Sequence, residues 1–195
     1  MKGEKRLVVG ISGASGALYG VRLLELLREA PVETHLVVSK SAQLTLAAET
    51  GVKPADLAAL ADIVHNPADV AAVIASGSFK TIGMVVAPCS VRSLAEIAYG
   101  TTSALLTRAA DVTLKERRRL VLLVRETPLH LGHLRAMAAA TEAGAIVYPP
   151  VPALYARPAS LEEMVDHTLG RVLDLFDLEV GAVRRWGGLD GTVET

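Results

Sequence analysis

Three short clusters in this chain carry side chains suited to holding or moving a charged group. Arg125 and Glu126 stand side by side after the apolar run Val121–Val124, Lys115 opens the run Lys115-Glu116-Arg117-Arg118-Arg119, and Arg171 falls beside the apolar stripe of a C-terminal helical pattern. An arginine clasps a phosphate through two parallel hydrogen bonds, and an adjacent carboxylate can carry a proton as that phosphate departs. A plain ion pair at a strand edge is the competing reading of Arg125 and Glu126. Arg108 precedes Lys115 by seven residues on roughly the same helical face, which places the two to share an anion. The rest of the charged run reads as a solvated helix C-terminus, where the dipole favours cations. Arg171 needs a counter-charge where it stands.

A fourth cluster is backbone rather than side chain. Leu7 to Gly16 reads Leu-Val-Val-Gly-Ile-Ser-Gly-Ala-Ser-Gly, a buried strand entering a glycine-serine turn, with a helical pattern from Ala17. Such a turn aims N–H groups and the positive end of a helix dipole at an anion. Its spacing is G-x-x-G-x-x-G, with Ser12 where the dinucleotide fingerprint has glycine, which disfavours a plain NAD site. A tight turn with no ligand is the alternative.

Other candidates carry less. His130-Leu-Gly-His133 has metal-like spacing but no supporting carboxylate or cysteine, and Gly132 weakens its helix, so no metal is expected. Cys89 reads as a small buried thiol. Ser15 has no histidine partner in sequence, which leaves a hydrolase triad unsupported.

The elements that must position these groups alternate. Helical spacing of Leu18, Val21, Leu24 and Leu27 predicts a helix over Ala17–Arg28, stopped by Pro31. Thr34–Val38 reads as a strand, followed by Ser39-Lys40-Ser41 and a helix to Glu49. From Lys53 to Phe79 the pattern is weaker: a helix start at Pro54, a break at Asn66-Pro67 and a short helix over Asp69–Ala75. Thr81–Ala87 is a strand leading into Pro88-Cys89-Ser90-Val91-Arg92-Ser93. Leu105–Arg117 is helical, Leu120–Val124 a strand, Leu131–Ala143 a helix and Ala145–Tyr148 a strand.

This alternation predicts one doubly wound α/β domain over residues 1–189, Rossmann or flavodoxin-like, with a mostly parallel sheet and helices on both faces. Ligands in such sheets sit at the carboxyl ends of the strands, near the switch in strand order. The loops at 10–16, 39–41, 88–93 and 125–128 share that edge. Further on, four prolines predict an extended Val151–Arg157 carrying Tyr155. Ser160 and Glu163 form a capping box for a last helix through Leu169, Leu173 and Phe176. Residues 190–195 are expected to be a loose tail.

The 195 residues are 51% hydrophobic with two Phe and one Trp, which predicts a core of Ala, Leu and Val. Twenty basic residues against 21 acidic leave no global field for nucleic acid or an anionic membrane. One cysteine excludes an internal disulfide and suits a reducing compartment, so a cytoplasmic location is expected. Glycines and serines interrupt the apolar N-terminal stretch, which argues against a signal peptide, and no apolar run is long enough to span a membrane.

Taken in order, Gly13-Ala14-Ser15-Gly16, Ser39-Lys40, Glu49-Thr50, Pro88-Cys89-Ser90, Leu106-Thr107-Arg108-Ala109-Ala110-Asp111-Val112, Leu114-Lys115-Glu116-Arg117-Arg118, Arg125-Glu126-Thr127-Pro128, Tyr155 and Arg185-Trp186 form a pattern. In it the chain resembles the UbiX-type flavin prenyltransferases, of the flavodoxin-like group that also contains flavin-dependent cysteine decarboxylases. The resemblance covers nearly the whole chain, and the block from Arg108 to Pro128 is its most specific part. It implies binding of reduced FMN and transfer to it of a dimethylallyl group from dimethylallyl monophosphate, at N5 and then C6. The product, prenylated FMN, would serve a UbiD-type decarboxylase. Family members assemble as homododecamers with sites between subunits.

Carried over residue by residue, Gly13, Ala14, Ser15, Ser39, Ser90, Val91, Arg92, Ser93, Arg108 and Arg125 would contact FMN. Lys115, Glu126, Tyr155 and Arg171, with Arg125 shared, would hold the leaving phosphate. Glu126 would shuttle a proton, Ser15 would relay one near N5, and Glu49 would assist closure at C6. Tyr155 and Trp186 would offer π-faces to an allylic cation. Where decarboxylase relatives show an asparagine-bearing motif, this chain has Cys89-Ser90-Val91-Arg92-Ser93, and Pro150-Val-Pro-Ala-Leu-Tyr155 stands in place of their proline-methionine-asparagine motif. Direct decarboxylation of an aromatic acid, and a non-catalytic FMN carrier, are the alternative functions.

Overall fold

In the described residues, 5–188 of this computed structural model, strands and helices alternate. They run β1 (Arg6–Ile11), α1 (Ala17–Arg28), β2 (Glu33–Val38), α2 (Lys40–Glu49), α3 (Pro54–Ala58), β3 (Ile63–His65), β4 (Gly83–Cys89), α4 (Val91–Ala98), α5 (Leu105–Lys115), β5 (Arg119–Val124), α6 (Leu131–Glu142), β6 (Ile146–Val147) and α7 (Leu161–Asp174). The strands form one sheet in the order β3-β2-β1-β4-β5-β6, and each neighbouring pair is parallel. This is the expected doubly wound α/β fold.

Alternation along the strands builds two cores. Leu7, Val9, Ile11, Val85, Ala87, Val121 and Leu123 face α1 and α7, which contribute Val21, Leu24, Leu169 and Leu173. Val8, Met84, Val86, Leu120 and Leu122 face the other way, toward Leu94 of α4, Leu106 and Ala110 of α5, and Ala136 of α6. Burial on both faces is why these strands read as unbroken apolar runs.

The strand order reverses between β1 and β4, so the loops leaving those two strands flank a crevice. Ser12 fastens them: its buried hydroxyl donates to the Pro88 carbonyl at 2.9 Å and accepts from the Ser90 amide at 2.7 Å. The residue that breaks the dinucleotide spacing is therefore a structural tie.

The structure departs from expectation in three stretches. Asp69–Ala75 is not a helix; only Val73–Ala75 forms a 3₁₀ turn. Side chains of Asn66 and Asp69 bond the amides of Ala68 and Ala71, which offers the backbone a local alternative to helix. Ile63–His65 is a strand that the pattern did not single out, three residues long and half exposed at the sheet edge. Val151–Arg157 is not extended throughout, because Leu154–Ala156 turns into a 3₁₀ segment closed by Arg157 in the left-handed region. Pro152 and Pro158 lie outside that turn and leave it free to form. The expected loose tail, 190–195, lies outside the described residues.

Candidate active site

The first turn of α1 is where the carboxyl-edge groups meet. Gly16 caps the helix with φ +101°, a conformation that favours glycine, and contributes no side chain to the exposed amides. Glu49, from the last turn of α2, supplies that cap: its Oε2 accepts from Gly16 N at 2.8 Å and Ala17 N at 2.9 Å. Burial alone would raise the Glu49 carboxyl. Hydrogen bonds from the Ser15 hydroxyl and these two amides, with the charge of Arg125, outweigh it and hold the group below its ordinary value. Arg125 in turn donates from Nε to the Ser15 carbonyl at 2.8 Å. Ser15, Glu49 and Arg125 thus form one assembly built from three separate elements.

Arg125 and Glu126 do not pair with each other. Glu126 accepts from the Thr127 amide at 2.9 Å and lies on the surface beside the turn. Gly13 is packed so closely that a Cβ there would lie 2.3 Å from Ser41 Oγ. Ser39 caps α2, accepting from Ala42 N at 3.1 Å, and its hydroxyl lies 3.1 Å from that of Ser41. Ser90 caps α4: its hydroxyl accepts from the Ser93 amide at 3.2 Å and donates to the Ser93 hydroxyl at 3.1 Å. Val91 opens that helix, and Arg92 points outward to Glu96.

A second group stands on the flank of α7. Arg171 pairs with Asp174, the counter-charge its position demands. Arg185 clasps the same carboxylate with both Nη atoms, at 3.0 and 3.1 Å. Tyr155 packs edge-on against Trp186 and against buried His167, with ring centroids 5.8 and 5.7 Å apart. Asp174 and His167 were not singled out from sequence, and Arg185 stood only in the Arg185-Trp186 motif with no role given to it, since their partners lie in other segments.

Lys115 is elsewhere. It ends α5 just before β5 begins, whereas Arg125 follows the end of β5. The six residues of β5, at about 3.3 Å each, set those two ends roughly 20 Å apart. Lys115 pairs with Glu116, and Arg108 with Asp111 at 2.8 Å, so within one chain these cations do not converge on a common anion.

Cys89 is fully buried and burial pushes its thiol up to about 12, so it is an inert core residue. His130 and His133 stack on each other, and His130 Nδ1 accepts from the Gly132 amide at 3.0 Å. Among the described residues no group of three or more His, Cys, Asp or Glu is placed to hold a metal ion. An apolar cleft of about 290 Å³ between α2, α3 and β3 contains none of the predicted site residues. No helix among the described residues is long and apolar enough to cross a membrane.

Comparison with known proteins shows the family. Residues 1–173 match the family model "Flavoprotein". The chain is 57% identical over 187 residues to the flavin prenyltransferase UbiX of Escherichia coli K12, covering 94% of this chain and 99% of that one. It is 55% identical to the flavin prenyltransferase UbiX of Thauera aromatica, with 94% of each chain covered. Among solved structures, AnUbiX in complex with FMN and dimethylallyl pyrophosphate superposes with a TM-score of 0.94 at 51% identity, covering 96% of this chain and all of that one. A dodecameric FMN-dependent UbiX-like decarboxylase from Escherichia coli O157:H7 gives 0.91 at 53%, over 94% of this chain and all of that one. With a parallel doubly wound sheet, a glycine-serine turn at its switch point and these identities over nearly its full length, the chain belongs to the flavoprotein family, in the branch of the UbiX-type flavin prenyltransferases.

Proposed function

We infer that this chain binds reduced FMN along the carboxyl edge and transfers to it a dimethylallyl group from dimethylallyl monophosphate, at N5 and then C6, making prenylated FMN for a UbiD-type decarboxylase. The observation that carries this reading is the assembly of Ser15, Glu49 and Arg125 at the strand-order switch, with Glu126 beside it. The fit to a flavin rests on the turn itself: the amides of Gly13, Ala14 and Ser15 have no carbonyl acceptor among the described residues, and the edge has room only for glycine at position 13. Ser39, Ser90 and Ser93, with Val91 and Arg92 at the start of α4, line the neighbouring loops.

Reduced flavin, when bound, supplies the nucleophilic positions. The chain supplies charge and proton handling. Arg125 neutralises the departing phosphate, which is what breaking an allylic C–O bond requires, and Arg171, whose helix is followed by Phe176 beside the starts of β4 and β5, would add its charge from a neighbouring copy. Glu126, unpaired with Arg125, is free to exchange a proton with that phosphate. The hydroxyl of Ser15, near enough to lower the pKa of the Glu49 carboxyl, would form with it a two-member relay beside the turn. Tyr155 and Trp186 present aromatic faces to the allylic group. Lys115, too far from Arg125 in its own chain, would reach the site from a neighbouring copy in a homododecamer, and Arg108, on the same helix, would come with it. A cytoplasmic, reducing setting suits a reduced flavin and a lone thiol.

Anaerobic incubation of the protein with reduced FMN and dimethylallyl monophosphate is expected to add the mass of one prenyl group to the flavin. Unmodified FMN overturns the reading. Two solved relatives above 30% identity are described as decarboxylases, the second a phenylacrylic acid decarboxylase from Aquifex aeolicus at 37% identity and TM-score 0.82. That alternative predicts loss of CO₂ from an aromatic acid by the isolated chain. A pure FMN carrier predicts that Glu126→Gln leaves delivery of FMN intact.

A further inference from the structure

The segment after α7 returns across that helix and is held by independent contacts. Arg184 donates to the Ala156 carbonyl at 2.8 Å, and its own carbonyl lies 3.2 Å from His167 Nε2. Val183 sits so close to α7 that a Cβ on Gly170 would lie 2.5 Å from its Cγ2. Arg185 then closes its two-pronged clasp on Asp174, and the next residue, Trp186, packs on Tyr155. At Arg185, next to the chain's one tryptophan, the strap is hooked to α7 by the Asp174 carboxylate.

The same carboxylate also holds Arg171, one turn earlier on α7. Asp174 is the least exposed member of the trio, its side chain 18% accessible against 45% for Arg171 and 51% for Arg185. Both arginines reach in to it, and it is anchored on the helix. Tyr148, at the end of β6, feels the charges of Arg171 and Asp174 as well as Tyr155, which places all four groups in one neighbourhood. Of the other charged groups near the strap, Glu163 and Arg184 face each other at 3.7 Å, and the charge of Glu179 also acts on Arg185.

We propose that Asp174 is a positioning residue for the prenyl donor: one carboxylate fixes the aim of Arg171 toward the donor phosphate and, through Arg185, seats Trp186 over Tyr155. This rests on the proposed role of Arg171 as a phosphate ligand. Its sign is distinctive. A carboxylate beside an anion site repels the anion, so if charge alone mattered, removing it would tighten donor binding. If aim matters more, removing it weakens donor binding while leaving flavin binding alone.

The test compares Asp174→Asn with Asp174→Glu and Arg185→Gln. Asp174→Asn is expected to raise KM for dimethylallyl monophosphate about tenfold, ~1.4 kcal/mol, with FMN affinity unchanged and kcat altered less than KM. Acrylamide quenching of Trp186 is expected to rise in Asp174→Asn and in Arg185→Gln, and Asp174→Glu is expected to recover part of both signals. A KM that falls or stays constant in Asp174→Asn overturns the proposal, as does unchanged Trp186 quenching in both variants. If Asp174→Asn does not fold, Arg185→Gln alone decides the strap. The quenching arm needs no substrate, so failure of the wild-type protein to prenylate FMN would count against the proposed function and not against the hook.

Discussion

The carboxyl edge and the α7 flank hold their cations by different means. Arg125 is aimed by a main-chain carbonyl, that of Ser15, in a turn fastened to the core through Ser12, Glu49 and the tight seat of Gly13. Arg171 is aimed by a side chain, and so is Arg185, on a half-exposed surface. Backbone acceptors cannot rotate away, whereas exposed ion pairs are weak, screened by salt and exchangeable. The edge is thus a rigid bed suited to a flat, tightly held ring, and the flank a set of adjustable charges suited to a group that arrives and leaves as phosphate.

That contrast can be broken in order of effect. Replacing Glu126 by Gln removes the proton-bearing group without altering the bed. Turnover measured by flavin mass is expected to fall about 10²- to 10⁴-fold, the range of a lost general acid–base group, while FMN affinity, read by fluorescence titration, holds. Gly13→Ala attacks the bed itself. Its Cβ would lie 2.3 Å from Ser41 Oγ, so a loss of about 1–3 kcal/mol in denaturant stability is expected, with weaker FMN binding. Adding Ser41→Gly should recover part of both, since the clash is mainly with that side chain.

Glu49→Gln is a smaller change, about 1 kcal/mol as for loss of a helix cap. Its pH signature follows from the depressed carboxyl. The folded state holds Glu49 ionised below the ordinary value of about 4.3, so its contribution is present above that pH and is lost as pH falls through the folded value. Stability profiles of wild type and Glu49→Gln should converge on acidification, and parallel profiles would argue against the cap. The smallest effect belongs to the flank: raising salt from 0.05 to about 0.5 M is expected to increase Trp186 quenching modestly and to change stability by less than about 1 kcal/mol.

Much of the bed was legible along the chain. Apolar runs ending in Gly, Ser and Arg marked the strands and their carboxyl-edge loops, because burial on both faces leaves a periodic signal and turns need particular residues. The short strand at Ile63–His65 was not, since three half-exposed residues carry almost no pattern. The 3₁₀ turns at Val73–Ala75 and Leu154–Ala156 were missed because local side-chain bonds and flanking prolines, rather than periodicity, set them.

The sequence by itself determined the alternation of elements, the two-faced sheet and the inventory of groups able to handle a phosphate. These follow from local periodicity and residue chemistry. Only the tertiary structure decided who meets whom. Glu49 caps a helix 33 positions back in the chain, Asp174 gathers arginines from α7 and the strap, and Lys115 is carried to the far end of β5. Those pairings depend on which strands are neighbours and which way the helices run, and no spacing within a single segment encodes that.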